Sequence, residues 1–310
     1  MKILVTGGAG YIGTHTIVEL LNAGHEVVAL DNFCNSDKSV FNKIEKITGI
    51  NVPFFEIDIR NKEGLDKIFS QHSFDACMHF AGLKSVTESL NKPVEYYNNN
   101  IGGTLSLIDT LRKYNCKNII FSSSASVYGN ANKVPVTEDC PKGICTNPYA
   151  RTKSIIEDYL IDLYNADKEW NVTILRYFNP IGAHKSGLIG EKSNGVPNNL
   201  MPYISQVASG KRKKLTVYGN DYPTEDGSCI RDYIHVVDLA KGHIKALDVR
   251  GLKIYNLGTG KGTSVLQLIE FFKKVNNVDV PFEIGQRRDG DIAVSYACAD
   301  KAFKELNWKA

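Results

Sequence analysis

The sequence predicts an α/β fold in which a doubly wound parallel sheet is followed by a smaller α/β substrate-binding domain. Two observations lead to this prediction. Short runs rich in β-branched residues alternate with longer amphipathic stretches through the first half of the chain. The second half is richer in residues typical of loops. Strands that alternate with helices favour a parallel sheet, which binds its ligands at the carboxyl ends of its strands.

The predicted elements follow one another in βα order. Apolar, β-branched runs predict strands at 2–6, 26–31, 53–58, 75–81 and 118–123. Apolar residues at helical spacing predict helices at 11–23, 61–71, 95–114 and 149–166. This order is the order of successive βαβ units, so the first half of the chain is expected to form one sheet.

The composition changes after about residue 180. Residues 181–231 are rich in Gly, Asn and Pro and predict long loops around one helix near 200–209. Segment 232–249 predicts a further strand and helix, and another helix is predicted at 263–275. We expect a cofactor domain over 1–180, to which 232–250 returns, and a substrate-binding domain over 181–310.

The overall composition is that of a soluble globular enzyme, with 43% hydrophobic and 23% charged residues. The net charge of +3 does not favour nucleic acid, and the one basic run, 211–214, is typical of a solvated turn. No apolar run approaches the ~18 residues of a membrane span. Seven cysteines without a Cys-x-x-Cys pair indicate reduced thiols. We therefore expect a cytoplasmic protein that binds no metal, no nucleic acid and no membrane.

The first predicted strand leads directly into a glycine-rich turn, "VTGGAGYIG", that contains Gly7, Gly10 and Gly13. Glycine allows a tight turn and a close approach to a pyrophosphate, which then lies at the N-terminus of the following helix. Asp31 ends the second strand, 18 residues after Gly13. A carboxylate there accepts hydrogen bonds from an adenosine ribose and repels the 2′-phosphate of NADP. The pattern predicts a Rossmann domain that binds NAD.

Two Tyr–Lys pairs share a spacing of four residues: Tyr149 with Lys153 in "NPYARTK" and Tyr164 with Lys168 in "LYNADKE". The first pair opens a predicted helix and lies on one of its faces, because residues i and i+4 are neighbours. Ser124 closes the fifth strand, at the sheet edge where a nicotinamide would lie. Tyr164 lies ~22 Å further along the helix, among charged residues typical of a surface turn. We predict a catalytic group of Ser124, Tyr149 and Lys153.

Tyrosine is a poor base, because its ordinary pKa is ~10. A neighbouring ammonium group and an oxidised nicotinamide are both positively charged, and both favour the phenolate. Lowering the pKa to neutrality takes about 4 kcal/mol of charge stabilisation, which a water-poor site can supply. We therefore expect Lys153 to lower the pKa of Tyr149.

The G-x-x-G-x-x-G spacing, "NNN" at 98–100, "SSSASVYG" at 122–129 and "NPYARTK" together resemble the extended short-chain dehydrogenase/reductase family. A second set of motifs extends along the chain: "LVTGGAGYIGTHT", "LDNFCNS", "HFAGLKSV", "EYYNNNIGGTLSL", "LRYFNPIGAH", "NNLMPYISQVA" and "YGNDYPTEDGSCIRDYIHVVDLA". This set resembles the UDP-glucose 4-epimerases of that family, and the resemblance runs from Met1 to about Trp308. The resemblance implies reversible 4-epimerisation of UDP-glucose and UDP-galactose through a transient 4-keto sugar, within galactose metabolism. Bound NAD would be regenerated in each turnover.

The resemblance also implies a role for each matching residue. Tyr149 would take the proton of the sugar 4-hydroxyl, Ser124 would bind the reacting oxygen or relay its proton, and Lys153 would hold the nicotinamide ribose. The implied cofactor-binding positions are Gly7, Gly10, Tyr11, Ile12, Gly13, Asp31, Asn32, Phe33, Cys34, Asn35, Ser36, Asp58, Ile59, Phe80, Ala81, Gly82, Leu83, Lys84, Asn99, Ser124, Tyr149, Lys153 and Phe178. The implied substrate-binding positions are Ser124, Tyr149, Asn179, Asn199, Leu200, Thr216, Tyr218, Arg231, Arg288, Asp291 and Ser295. Two arginines suit a pyrophosphate, since each guanidinium can fork onto phosphate oxygens.

The sequence leaves two other functions open. Sugar-nucleotide 4,6-dehydratases carry an Asp-Glu pair where this chain has Ala125 and Ser126, so the group that would eliminate water is missing here. A non-catalytic NAD-sensing protein on the same fold is the other alternative. Such proteins commonly lose the Tyr–Lys pair, which this chain keeps as Tyr149 and Lys153.

Ser295 lies four positions after Asp291, where epimerases of this kind carry either a bulky tyrosine or a small residue. The members with a small residue also admit N-acetylated sugars. We therefore expect UDP-GlcNAc and UDP-GalNAc to be further substrates of this chain.

The family resemblance implies a homodimer formed through paired helices. In this chain those helices are the ones predicted near 95–114 and 149–166, and Ile155, Tyr159 and Leu163 give the second a further apolar stripe. The same stripe could instead pack on the sheet. The sequence ends at "ELNWKA", where relatives continue for roughly one more helix, and we expect no site residue in that further stretch.

Overall fold

The computed structural model describes residues 1–131, 133–192, 197, 199–288 and 290–310. Its strands are β1 (Lys2–Thr6), β2 (Glu26–Asp31), β3 (Phe54–Glu56), β4 (Ala76–His79), β5 (Asn118–Ser124), β6 (Asn171–Tyr177), β7 (Asn179–Ile181), β8 (Leu215–Tyr218), β9 (Ile230–Arg231), β10 (Tyr233–His235), β11 (Leu252–Leu257), β12 (Thr263–Ser264), β13 (Phe282–Gly285) and β14 (Val294–Ser295). Its α-helices are α1 (Tyr11–Asn22), α2 (Val40–Thr48), α3 (Lys62–Gln71), α4 (Val86–Asn91), α5 (Pro93–Tyr96), α6 (Gly103–Lys113), α7 (Pro148–Ala166), α8 (Leu200–Ala208), α9 (Val236–Lys245), α10 (Val265–Asn276) and α11 (Asp300–Leu306). A π-helical turn (Tyr97–Gly102) joins α5 to α6, and 3₁₀ turns lie at Ala125–Tyr128 and Ala246–Asp248.

Seven strands form one parallel sheet in the order β11-β6-β5-β4-β1-β2-β3. The chain winds outward from β1 to β3 on one side and from β4 to β11 on the other, so the winding reverses between β1 and β4. Such a reversal leaves a crevice at the carboxyl ends of the strands, where α/β proteins bind their ligands. The prediction of a doubly wound parallel sheet is confirmed.

The sheet is covered on both faces by apolar side chains, which alternate along each strand. On β1, Ile3 and Val5 belong to one buried cluster and Leu4 to another. The first cluster takes residues from α1, α2 and α9, including Ile17, Leu20, Phe41, Ile44 and Leu239. The second takes residues from α3, α6 and α7, including Leu65, Ile68, Leu107, Leu111, Ile156 and Leu160. Burial on both faces explains why these strands are continuous apolar runs in the sequence.

The predicted helix at 95–114 is interrupted in the structure. It divides into α5, the π-helical turn and α6. The turn carries Asn100, whose side chain accepts from the Leu83 amide (2.8 Å) and donates to the Leu83 carbonyl and to Thr152 (both 3.0 Å). These long-range hydrogen bonds cannot be deduced from local periodicity.

The later part of the chain adds small sheets around the main one. β7 pairs with β10, β8 pairs with β13, and β9 lies between β12 and β14. A separate apolar cluster joins α8, β8 and α10 through Ile204, Val207, Leu215, Val217, Leu268 and Ile269. Among the described residues, no helix combines the length and the apolar character needed to cross a membrane.

Candidate active site

The predicted cofactor positions meet at the carboxyl edge of the main sheet. They lie after β1 (Gly7, Gly10, Tyr11, Ile12, Gly13), at the end of β2 and beyond it (Asp31 to Ser36), after β3 (Asp58, Ile59), after β4 (Phe80 to Lys84), at the end of β5 (Ser124), after β6 (Phe178), in the π-helical turn (Asn99) and on α7 (Tyr149, Lys153). The carboxyl ends of parallel strands face one way, so elements far apart in the sequence line one crevice.

The loop after β1 is shaped for an anion. Gly7 has a φ of +67°, and a Cβ there would lie 2.7 Å from the Ala81 nitrogen, so a side chain is excluded. α1 begins after Gly10 without a side-chain cap and without an acidic residue in its first turn. Its first backbone N–H groups therefore remain available to a phosphate, which fits the pyrophosphate of NAD.

Asp31 organises the loop that would surround an adenosine ribose. The carboxylate is 7% exposed and accepts hydrogen bonds from the amides of Ala9 (3.0 Å) and Phe33 (2.9 Å) and from the Ser36 hydroxyl (2.8 Å). A carboxylate has about four acceptor positions, so it retains capacity for a ribose hydroxyl. These residues fit the adenosine half of NAD.

Asp58 lies beside the same loop. The Arg60 side chain donates to it at 2.8 and 2.7 Å, and the Asn32 amide donates at 2.9 Å. Hydrogen bonding from Arg60 is the main reason that the pKa of Asp58 lies well below its ordinary value. The group is therefore a fixed negative charge at neutral pH.

Tyr149 and Lys153 project from the first turns of α7 toward the end of β5. Asn147 caps the helix by accepting from the Ala150 amide at 2.9 Å, and Pro148 occupies the first helical position. The Lys153 ammonium donates to the Ser122 carbonyl at 2.6 Å and is 6% exposed. Strand β5 thus accepts the lysine hydrogen bond at Ser122 and carries the Ser124 hydroxyl two residues later.

The surrounding protein changes the acidity of both groups on α7. Desolvation raises the pKa of the Tyr149 phenol above its ordinary value, and hydrogen bonding with Ser124 opposes the rise. Burial lowers the pKa of Lys153 to about 8, while the negative charge of Glu157 raises it. The protein without cofactor therefore holds Tyr149 as a neutral phenol. Positive charge at the nicotinamide end of the crevice is what would favour its ionised form.

The second Tyr–Lys pair lies at the opposite end of α7. Lys168 follows the helix, and its ammonium lies 4.1 Å from the centroid of the Tyr164 ring and donates to Asn165 at 2.9 Å. This cation–π contact is a surface arrangement. The separation of the two pairs along one helix matches the expectation from the sequence.

A buried ion pair that the sequence analysis missed lies one helical turn beyond Lys153. Glu157 accepts from Arg176 at 3.0 and 2.7 Å and from the Ser123 hydroxyl at 2.5 Å. The side chains of Arg176 and Glu157 are 4% and 0% exposed. The pair ties α7 to β5 and β6 next to the predicted catalytic group. The spacing from Tyr149 to Lys153 to Glu157, four and four, is the signal that could have revealed it.

Several of the predicted substrate positions form a second group. The Arg288 guanidinium donates to Asp291 at 2.8 Å and lies 4.8 Å from the centroid of the Tyr218 ring. Arg231 lies 4.0 Å from the same aspartate, and Ser295 pairs with Arg231 in the register of β14 and β9. Five of the predicted residues are therefore held together by contacts among themselves.

The remaining substrate positions have other contacts. The Thr216 hydroxyl donates to Glu283 at 3.4 Å, and the Asn199 amide donates to Glu191 at 2.6 Å. Leu200 begins α8, and the backbone N–H of Asn179 donates to the backbone carbonyl of Asp232 at 2.9 Å. Two parts of the predicted site region lie outside the described residues: Asp289 in the "QRRDGD" turn, and positions 193–196 and 198 in the loop before α8. Within the described ranges, no cluster of three His, Cys, Asp or Glu residues could hold a metal ion.

Comparisons with known proteins agree with this geometry. The model of the NAD dependent epimerase/dehydratase family matches residues 3–258. The chain is 54% identical over 314 residues to UDP-glucose 4-epimerase from Bacillus subtilis (strain 168), covering 100% of this chain and 92% of that protein. The crystal structure of UDP-glucose 4-epimerase from Bifidobacterium longum in complex with NAD⁺ and UDP is 50% identical, with a TM-score of 0.97 over 100% of this chain and 93% of that one. The UDP-Glc/GlcNAc 4-epimerase from Campylobacter jejuni is 38% identical, with a TM-score of 0.86 over 99% of this chain and 93% of that one.

Proposed function

We propose that this chain, which belongs to the NAD dependent epimerase/dehydratase family, is an NAD-dependent UDP-glucose 4-epimerase. It interconverts UDP-glucose and UDP-galactose and so acts in galactose metabolism. The observation that carries the proposal is the meeting of Ser124, Tyr149 and Lys153 at the end of β5, beside a nucleotide loop that fits NAD. Identity above 50% along the whole chain to UDP-glucose 4-epimerases supports it.

Each residue of the catalytic group has a distinct part in the proposed reaction. Bound NAD supplies a reversible hydride acceptor, so oxidation at the sugar C4 is undone within the same turnover. Tyr149 takes the proton of the 4-hydroxyl and later returns it. Ser124 hydrogen-bonds the reacting oxygen and the phenol, and keeps the two in line. The Lys153 ammonium, anchored on the Ser122 carbonyl, would hold the nicotinamide ribose.

The proposed sugar-nucleotide site is the second group of residues. Arg231 and Arg288 are its cations, and both contact Asp291, which keeps them close together. Two guanidinium groups in one place suit the diphosphate of a UDP-sugar. We place this site in a substrate-binding part of the chain, 181–310, and the cofactor in 1–180 with 232–250.

Neither alternative function has an observation in its favour. A dehydratase needs an acid beside Ser124, and the turn there presents Ala125 and Ser126, whose hydroxyl donates to Ser124 at 2.9 Å. An NAD-sensing protein has no need of the buried Lys153 and its anchor. The epimerase is therefore the function that uses all of these groups.

One assay separates the three functions. We expect the protein as purified to convert UDP-galactose to UDP-glucose without added reductant, because the hydride is returned within each turnover. Nucleotide sugars are separated by chromatography and identified by mass. Loss of one water from the sugar would indicate a dehydratase, and no conversion by protein that retains NAD would indicate a sensor.

Ser295 is proposed to admit N-acetylated sugars. Its side chain is small, and it lies on β14 beside Arg231, within the sugar-nucleotide group. We expect turnover of UDP-GlcNAc, and we expect Ser295→Tyr to lower kcat/KM for UDP-GlcNAc about tenfold or more, because a bulky ring fills the space of the acetamido group. UDP-galactose serves as the internal control and should change much less. Equal turnover of UDP-GlcNAc by the variant and the parent chain would refute the steric role.

We also propose a homodimer that pairs the exposed faces of α6 and α7. Leu105 and Ile155 are 43% and 38% exposed there, and Tyr159 and Leu163 line the groove between the helices. Exposed apolar residues on adjacent helices are typical of an interface. Light scattering should give twice the chain mass of 34.4 kDa.

Leu105→Arg should lower that mass to the value of one chain, because it introduces a charge into the proposed interface. Val275→Arg is the matched control, since Val275 is 82% exposed on α10, which lies away from α6 and α7 in the chain. Failure of the unsubstituted protein to exceed one chain mass would exclude the dimer.

The seven free thiols among the described residues support a cytoplasmic location for the protein.

A further inference from the structure

We propose that Glu191 is a positioning residue that joins the cofactor side of the crevice to its sugar-nucleotide side. One carboxylate oxygen of Glu191 accepts hydrogen bonds from the Lys84 ammonium at 3.1 Å and from the Asn199 side-chain amide at 2.6 Å. Lys84 belongs to the proposed cofactor loop after β4, and Asn199 to the proposed substrate residues at the start of α8. The inference rests on the proposed function, because that function gives the two donors their ligands.

The position of Glu191 is unusual for a loop carboxylate. Its side chain is 10% exposed, whereas that of Lys84 is 60% exposed. A carboxylate that is removed from water must be paired, since leaving it unpaired costs a large desolvation free energy. Lys84 supplies the charge and Asn199 completes the hydrogen bonding. Lys84 itself stays largely exposed, and the ion pair fixes its ammonium beside Glu191.

The charge of Glu191 also reaches the nucleotide loop. The pKa of the Tyr11 phenol lies well above its ordinary value, mainly because the phenol is buried and in addition because Glu191 is negatively charged. Tyr11 opens α1, where a pyrophosphate would bind, and its hydroxyl donates to the Gly182 carbonyl at 2.6 Å. The Glu191 charge acts on Tyr11 in the nucleotide loop, so it would repel a pyrophosphate bound there unless a cation shields it. The pairing with Lys84 supplies that cation.

The next residue in the chain shows what a merely structural ion pair would look like. Lys192 pairs with Asp37 at 3.1 Å, but their side chains are 71% and 45% exposed. An exposed pair of this kind contributes little to stability and fixes no ligand contact. Lys192→Met is therefore a matched control for substitution of Glu191.

Two variants of Glu191 separate its charge from its hydrogen bonds. Glu191→Gln keeps an oxygen acceptor for Asn199 and removes the charge that holds Lys84. We expect it to release NAD several-fold faster during dialysis and to keep KM for UDP-galactose near its original value. Glu191→Ala removes both functions, and we expect faster NAD release together with a KM raised about fivefold, the equivalent of one hydrogen bond. With NAD in excess, kcat of Glu191→Ala should change less than its KM, and kcat of Glu191→Gln should stay near its original value.

The measurements are NAD content after dialysis, steady-state kinetics and thermal unfolding. Lys192→Met should match the unsubstituted protein in NAD release and in KM. The proposal is overturned if Glu191→Ala leaves NAD release and KM unchanged. It is also overturned if Glu191→Ala lowers only thermal stability and kcat. Absence of UDP-galactose turnover in the unsubstituted protein would instead refute the proposed function, since NAD release is measured without turnover.

Discussion

Tyr149→Phe is expected to lower kcat for UDP-galactose by about 10²–10⁴-fold, because it removes the group that takes the proton of the sugar 4-hydroxyl. The ring remains, so the packing at the start of α7 is preserved. The Lys153 ammonium keeps its anchor on the Ser122 carbonyl, which does not involve the phenol. NAD should therefore still bind, and the loss should fall on kcat rather than on cofactor content. Steady-state kinetics and extraction of bound nucleotide measure the two quantities.

Tyr164→Phe is the control, because it removes the same oxygen from the same helix. The Tyr164 ring contacts the Lys168 ammonium, at the end of α7 away from β5, and the cation–π contact survives loss of the hydroxyl. We expect kcat to remain within about twofold of the unsubstituted protein. A large loss in Tyr164→Phe with activity kept in Tyr149→Phe would show that the wrong tyrosine was chosen.

Local sequence patterns predicted five of the seven strands of the main sheet, and gave no bounds for β6 and β11. The predicted bounds of β1 and β2 match those observed, because both strands are buried on both faces and appear as continuous apolar runs. The third predicted strand, 53–58, shortens to Phe54–Glu56 at the edge of the sheet. The small strand β9, two residues long, was not predicted, because it is defined by pairing with β12 and β14 and not by its own periodicity.

Local patterns predicted some residues of the candidate site and missed others. Glycines after a strand, an acid at a strand end and a Tyr–Lys pair at helical spacing are local patterns, so they could be read from the sequence. Asn100 and Glu191 could not, because their partners Leu83 and Lys84 lie far away in the sequence. The four-residue spacing from Lys153 to Glu157 was a local signal, but the pairing of Glu157 with Arg176 on another strand was not. Polar residues of this kind become recognisable only when their burial is known.

The buried ion pair behind the catalytic group leads to the second large prediction. Arg176→Met should lower the free energy of unfolding by about 3–5 kcal/mol, because it leaves the fully buried Glu157 carboxylate without its cation. The Ser123 hydroxyl remains as a donor but cannot neutralise the charge. Arg176 also lies 4.7 Å from the centroid of the Tyr128 ring, and that contact is lost as well. Urea-induced unfolding, followed by circular dichroism, measures the change.

The double variant Glu157→Leu/Arg176→Met tests whether the pair serves more than stability. Replacing both members of a buried ion pair with apolar residues often restores stability, so we expect the double variant to recover much of the loss. Activity should not recover with it, because the negative charge that favours protonated Lys153 is gone and the Ser123 hydroxyl loses its acceptor. A destabilisation below about 1 kcal/mol in Arg176→Met would contradict the burial argument. Full activity in a stable double variant would limit the pair to a structural role, and low activity in that variant would make Glu157 part of the environment on which Lys153 depends.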